Sequence, residues 1–358
     1  MRTVRPVPQS PLPRRRLWWQ RLAGPVAALA ALSSLAVGQQ TAPSGRSEAG
    51  SPAGTVTADT LRPVAVSRVE LKRRKGRVAG DGRTLYVANR TEFRPRRGSV
   101  VAVPPRVRAR SWVVVDLDSG RLLGRYNHRR WLPQASTLKL LTALTATRTI
   151  APDAKHRVSR YEAKQTCSCV GLKPGRVYSR DALLTGMLLK SGNDAAEAVA
   201  GMHPRGRWAF YQAMNDLARE LGATDTVAKN ASGLTAWGSH SSARDLVLFL
   251  RAALQDETVR RILGTPYAVV STVTGKARRP IWRGTDYVNR YPGSLGKSGW
   301  TTPAQNTLVV VTEIGGRRIA TAHLGAPSGY STTGARALTE WASANFDQLK
   351  PVGRLPHS

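Results

Sequence analysis

The residues of this chain best suited to chemistry fall into three short groups: Ser136 with Lys139, Ser191 with Asn193, and Lys297 with Ser298. The first pair opens an apolar run, Leu140-Leu141-Thr142-Ala143-Leu144. The spacing of Leu138, Leu141 and Leu144 predicts an amphipathic helix with a buried stripe. Positions three apart share a helix face, so the hydroxyl and the amine would sit side by side at the helix start. A serine hydroxyl needs an adjacent base to act as a nucleophile at neutral pH. A lysine serves as that base when burial or a second cation depresses its pKa. The positive end of the helix favours the negative charge that would develop there. Ser-x-x-Lys alone is a common chance pattern, and its weight comes from the other two groups.

Ser191-Gly192-Asn193 lies between two helical runs, where a glycine in a polar tripeptide fits a tight loop presenting two side chains in one direction. A capped helix end is the plainer reading. Lys297-Ser298-Gly299, followed by Trp300, precedes strand signals and would place a cation and a hydroxyl on a sheet edge. Gly299 allows close backbone approach there, although a solvent-facing strand start explains the triplet equally well. The chain order is more informative than any one group. Ser-x-x-Lys, Ser-x-Asn and Lys-hydroxyl-Gly follow one another as in class A β-lactamases and penicillin-binding proteins.

The elements that would hold these groups can be read from periodicity. Trp112 to Leu117 and Arg121 to Tyr126 read as strands joined through Asp118-Ser119-Gly120. Helices are expected over Arg180–Leu189, Asp194–Ala200, Gly206–Leu221 and Ser242–Leu254, then strands over Asn306–Glu313 and Arg317–Leu324 joined at Gly315-Gly316. A closing helix is expected from Gly334 to Phe346. Early strands, a central helical block and late strands predict an α+β domain whose antiparallel sheet is closed by both ends of the chain.

The chain has 358 residues, 41% hydrophobic and 22% charged, with a formal net charge of +33. Such a balance favours a polyanionic neighbour, and the excess is denser before Ser111. Aromatics make up only 6%, and no zinc-finger, RNA-recognition or phosphate-loop pattern appears. Residues 1–38 pair a basic start with an apolar, alanine-rich stretch from Leu22, the pattern of a signal peptide or N-terminal anchor. This predicts export to the cell wall or an extracytoplasmic, membrane-anchored position, and it argues against a nucleic-acid partner. Residues 39–110 read as a basic linker or small β region, with Val64-Ala65-Val66, Leu85-Tyr86-Val87 and Val100–Val103 as short apolar runs. Residues 111–348 read as the catalytic domain and 349–358 as a tail. The Lys72–Lys75 and Arg94–Arg97 clusters suit either solvated charge or, over residues 62–110, contact with an anionic wall polymer or membrane surface. Cys167 and Cys169 stand one residue apart, which leaves open a labile redox pair or a loop feature without catalytic part. The six histidines are scattered, so no metal set is legible.

From Ser111 to Asn345 the chain resembles the serine D-alanyl-D-alanine carboxypeptidases, the low-molecular-mass penicillin-binding proteins. The resemblance rests on Val113–Asp116, Pro133–Lys139, Val170–Gly175, Ser191–Ala196, Asn230–Leu234 and Leu295–Gly299. It implies a β-lactamase/transpeptidase-like fold with a helical subdomain. It also implies a substrate, the peptidoglycan stem peptide ending in D-Ala-D-Ala, with β-lactams as acylating mimics and no cofactor. By that resemblance Ser136 is the nucleophile, Lys139 its base and Ser191 a proton relay. Asn193 would hold the substrate amide, Lys297 and Ser298 the terminal carboxylate, and Gly299 and Trp300 would shape the oxyanion side. The usual Lys-Thr-Gly is Lys-Ser-Gly here, Trp300 is bulkier than the common residue, and Arg336 is the candidate for a strand-end arginine. A β-lactamase, needing a second carboxylate such as Glu220, is the alternative enzyme. A catalytically weak wall-associated penicillin binder is the alternative outside catalysis.

Overall fold

The computed structural model describes residues 76–87 and 90–356. The expected export segment, the run at Val64–Val66 and the cluster at Lys72–Lys75 lie outside the described residues. Among the described residues, four short strands precede the domain start expected at Ser111: β1 (Arg77–Ala79), β2 (Leu85–Val87), β3 (Thr91–Pro95) and β4 (Val100–Ala102). The hairpin expected next is present as β5 (Ser111–Asp116) and β6 (Arg121–Tyr126). A 3₁₀ turn, Ala135–Leu138, runs straight into helix α1 (Lys139–Thr149).

The helical block then follows. It comprises β7 (Lys155–Arg157), α2 (Arg160–Ala163), β8 (Val177–Ser179), α3 (Arg180–Leu189), α4 (Asn193–Gly201), α5 (Gly206–Glu220), α6 (Ala243–Gln255) and α7 (Glu257–Gly264). A hairpin, β9 (Tyr267–Ser271) with β10 (Arg278–Trp282), and a short α8 (Asp286–Arg290) lead back to the sheet. The chain ends in β11 (Ser294–Thr301), β12 (Gln305–Ile314), β13 (Arg317–Ala326), α9 (Ser331–Ala344), β14 (Leu349–Lys350) and β15 (Gly353–Arg354).

Among the described residues, nine strands form one antiparallel sheet in the order β11-β12-β13-β5-β6-β3-β14, with β15 beside β6 and β2 beside β3. Strand alternation sends successive side chains to opposite faces. Val113 and Val115 enter the large core under the helical block, whereas Trp112 and Val114 pack on Leu338 and Trp341 of α9. Helices therefore cover both faces, which is why every residue of β5 is buried.

Two expectations change. Residues read as a linker or small β region, and those read as a tail, contribute β2, β3, β14 and β15 to the main sheet. Phe93 and Leu349, both fully buried, join the Trp341 core, while Glu92 accepts from Arg125 at 2.7 Å on the other side of the strand. Helix α1 is also more buried than one apolar stripe requires, for Lys139 to Ala146 are all buried. Its internal hydroxyls are satisfied: Thr142 donates to the Ala231 carbonyl at 2.7 Å and Thr145 to that of Leu141 at 2.9 Å. Buried polar groups are tolerated when paired in this way. Among the described residues no helix is long and apolar enough to cross a membrane.

Candidate active site

Ser136 sits in the 3₁₀ turn at the head of α1, and Ala135 before it takes a left-handed backbone (φ 49°). In such a turn side chains three apart eclipse. The Lys139 amine accordingly lies 2.8 Å from Ser136 Oγ. It also lies 2.7 Å from Asn193 Oδ1 and 2.5 Å from the Ser232 carbonyl oxygen. Lys139 is fully buried. Burial first, then the neighbouring Lys297 cation, push its pKa far below the ordinary lysine value, against an opposing pull from Glu197 and Asp194.

The three contacts fix what a neutral amine would do. It has two hydrogens and one lone pair, and two of its neighbours are carbonyl-type oxygens that only accept. Both hydrogens go to Asn193 and Ser232, and the lone pair is left for the Ser136 hydroxyl proton.

Asn193 is the first residue of α4 and Ser191 precedes it by two. The left-handed conformation falls on Ser191 itself (φ 60°), whereas Gly192 is at −59°. Glycine is still required at 192, because a Cβ there would stand 2.8 Å from Val170 Cγ2. The Asn193 side chain is engaged at both ends, with Oδ1 on Lys139 and Nδ2 donating to the Thr166 carbonyl at 2.5 Å. It thus braces Lys139, a contact the sequence did not suggest.

Strand β11 supplies the remaining group. Lys297, 2% exposed, donates to Ser191 Oγ at 2.9 Å and to the Ser298 carbonyl at 2.7 Å. Burial lowers its pKa to about 7. Strand β11 comes so close to the nucleophile that a Cβ on Gly299 would lie 2.6 Å from the Ser136 amide nitrogen. From the other side, a Cβ on Gly233 (φ 78°) would overlap the Ala135 carbonyl oxygen at 2.0 Å. Both glycines let backbone replace side chain against the turn that carries Ser136.

Ser136, Ser191, Asn193, Lys297, Ser298 and Trp300 line one cleft of about 1020 Å³, with Gly299 in its wall and Lys139 beneath it. Ser136, Lys139, Ser191, Asn193, Lys297, Ser298, Gly299 and Trp300 are therefore brought together here. The cleft also takes in Trp282 and a bridged pair, Cys167 and Cys169, whose Cα atoms are 4.6 Å apart. A smaller cavity of about 230 Å³ between Gly120, Arg251 and Leu355 holds none of these groups.

Two candidates lie elsewhere. Arg336 pairs with Glu340 at 2.7 Å and stacks over Tyr291, outside the cleft lining. Glu220 is 66% exposed and bound to Arg148 at 2.7 Å, so it offers the cleft no second carboxylate. Among the described residues no cluster of three or more His, Cys, Asp or Glu could hold a metal ion.

Comparison with known proteins points one way. A family profile described as D-alanyl-D-alanine carboxypeptidase matches residues 99–328. The D-alanyl-D-alanine carboxypeptidase DacB2 of Mycobacterium tuberculosis is 38% identical over 214 residues, covering 59% of this chain and 72% of that protein. A crystal structure of a D-alanyl-D-alanine carboxypeptidase from the same organism matches with a TM-score of 0.66 at 36% identity, over 71% of this chain and 98% of that one. A variant of the Streptomyces K15 DD-transpeptidase matches with a TM-score of 0.62 at 26% identity, over 67% and 99% of the respective chains.

Proposed function

This chain belongs to the D-alanyl-D-alanine carboxypeptidase family, and from that premise we propose that it removes the terminal D-alanine of peptidoglycan stem peptides through an acyl-enzyme on Ser136. The observation that carries the proposal is the Lys139 amine, 2.8 Å from Ser136 Oγ with two acceptor oxygens taking its hydrogens. As Ser136 Oγ attacks the carbonyl of the penultimate D-alanine, Lys139 accepts its proton. The developing oxyanion meets the backbone N–H groups of Ser136 and Trp300. The substrate's terminal carboxylate pairs with Lys297 and the Ser298 hydroxyl, a charge-assisted contact. Ser191, held by Lys297, relays the proton taken up by Lys139 to the nitrogen of the departing D-alanine. Water then releases the shortened peptide.

A β-lactam presents the same acyl carbon and carboxylate, so it acylates Ser136 in the same way. The exposed Glu220 leaves the β-lactamase reading without its deacylating base. Such a substrate places the enzyme outside the cytoplasm, tethered or released through its N-terminal segment. The net charge of +33 supports contact between the basic residues around 62–110 and anionic wall polymer or membrane.

The direct test is release of D-alanine from a synthetic pentapeptide ending in D-Ala-D-Ala. Free D-alanine should accumulate with the purified protein, and no free alanine of either hand should come from the same peptide ending in L-Ala-L-Ala. No release from the D-Ala-D-Ala peptide would remove the proposal.

A second outcome follows from the close approach at Gly299. Gly299→Ala would drive a methyl group into the Ser136 amide nitrogen, displacing an oxyanion donor. Because one such donor is worth about 10²–10³ in rate, kcat should fall by about that factor. Circular dichroism and melting checks would show the fold retained. A variant with wild-type kcat would take the oxyanion role away from this corner.

A further inference from the structure

The segment Lys164–Cys169 has no regular structure, yet its backbone reaches the centre of the site. The Thr166 carbonyl accepts from Asn193 Nδ2 at 2.5 Å, and the Ser168 carbonyl accepts from the Asn193 backbone N–H at 2.8 Å. These two carbonyls alternate with Cys167 and Cys169, which are joined by a disulfide across a single residue. Beyond the bridge the chain is pinned again, with the Asp194 carboxylate accepting from the N–H groups of Val170, Gly171 and Leu172 at 2.9, 2.8 and 3.0 Å. Asn193 in turn holds Lys139, which holds Ser136.

A bridge that closes so small a loop removes little entropy from the unfolded chain. Its effect is local: it restricts the backbone about Ser168, and so the direction of the carbonyls on either side. We propose that the Cys167–Cys169 disulfide is a positioning element for the acylation step, shaping the loop that holds Asn193 against Lys139. This rests on the assignment of Ser136 and Lys139 made above.

Cys167 is exposed and both cysteines line the cleft, so the bridge is open to a soluble dithiol. A thiolate of that reductant attacks one sulfur and breaks the S–S bond, forming a mixed disulfide. The reductant's second thiol then displaces the protein cysteine and closes its own disulfide. Two electrons and two protons end on Cys167 and Cys169.

The test is a double-mutant cycle read by the second-order rate of acylation by a fluorescent penicillin. Wild type, the Cys167→Ser/Cys169→Ser variant, Asn193→Ala and the triple variant are compared. Wild type reduced with dithiothreitol, desalted and alkylated forms a fifth sample, and reduced wild type reoxidised before alkylation a sixth. Loss of the bridge should slow acylation about tenfold with Asn193 present and less than about twofold in the Asn193→Ala background, the non-additivity expected of coupled contacts. Reoxidation should restore the rate. Should the serine variant fail to fold, reduction and reoxidation of wild type still decide the matter. Equal losses in both backgrounds, or a rate indifferent to reduction, would overturn the positioning role. A normal oxidised rate in that case leaves the enzyme assignment standing, whereas no acylation of the oxidised wild type would overturn both.

Discussion

Ser136→Ala is expected to abolish covalent capture of a fluorescent penicillin and to lower kcat/KM on the pentapeptide by about 10⁴-fold or more, the scale seen when a serine nucleophile is removed. The other cleft hydroxyls do not replace it. Ser191 Oγ accepts from Lys297 at 2.9 Å, and Ser298 stands on β11 in the cleft lining. Neither is among the contacts of the Lys139 amine. The fold should be little affected, because Lys139 keeps Asn193 and the Ser232 carbonyl and one lost hydrogen bond is worth about 1 kcal/mol. Intact-protein mass spectrometry gives the sharpest reading: wild type should gain one penicilloyl mass and the variant none. A labelled variant would place the nucleophile on another residue.

What the sequence disclosed of this site was its side-chain chemistry. Ser136, Lys139, Ser191, Asn193 and Lys297 were legible because few other residue types perform those tasks, and because their order along the chain is itself a pattern. The Ser232 carbonyl was not legible, for a backbone acceptor carries no letter of its own. The strain at Ser191 was hidden for a related reason. Gly192 looked like the residue that turns the chain, but it is needed for space beside Val170. In the fold, Phe93 was masked by the arginines around it, and Thr142 and Thr145 disguised a helix buried on all sides as one with a single apolar stripe. Helix α7 carried a readable start signal in Asp256, which accepts from the Val259 N–H, but its eight residues are too few for a clear apolar stripe. The Cys-Ser-Cys spacing left pairing undecided, since only the loop's path across Asn193 gives the bridge a use.

Lys297→Ala tests whether the two buried amines act as a pair. Its first effect should be on recognition: kcat/KM for a peptide with a free terminal carboxylate should drop about 10- to 150-fold, the worth of a charged hydrogen bond at about 1.5–3 kcal/mol. Its second effect is on pH, and the sign follows from the electrostatics. With a pKa of about 7, Lys297 carries its charge below that pH and there opposes a second cation on Lys139. Removing it lets the Lys139 pKa rise. Lys139 must be neutral to act as base, so the acid limb of acylation, followed with an uncharged thioester substrate, should move to higher pH. The wild-type enzyme should also lose kcat/KM toward the carboxylate substrate as pH rises through about 7 and Lys297 gives up its proton. That alkaline limb should vanish in the variant. Stability runs the other way: between about pH 7 and the ordinary lysine value of 10.5 the unfolded chain binds more protons at Lys297 than the folded one. Wild-type stability should therefore rise with pH across that window, and more steeply than the variant's. An acid limb left in place by the substitution would mean that Lys139 is kept neutral by burial alone, and that the positive charge of Lys297 serves only the substrate.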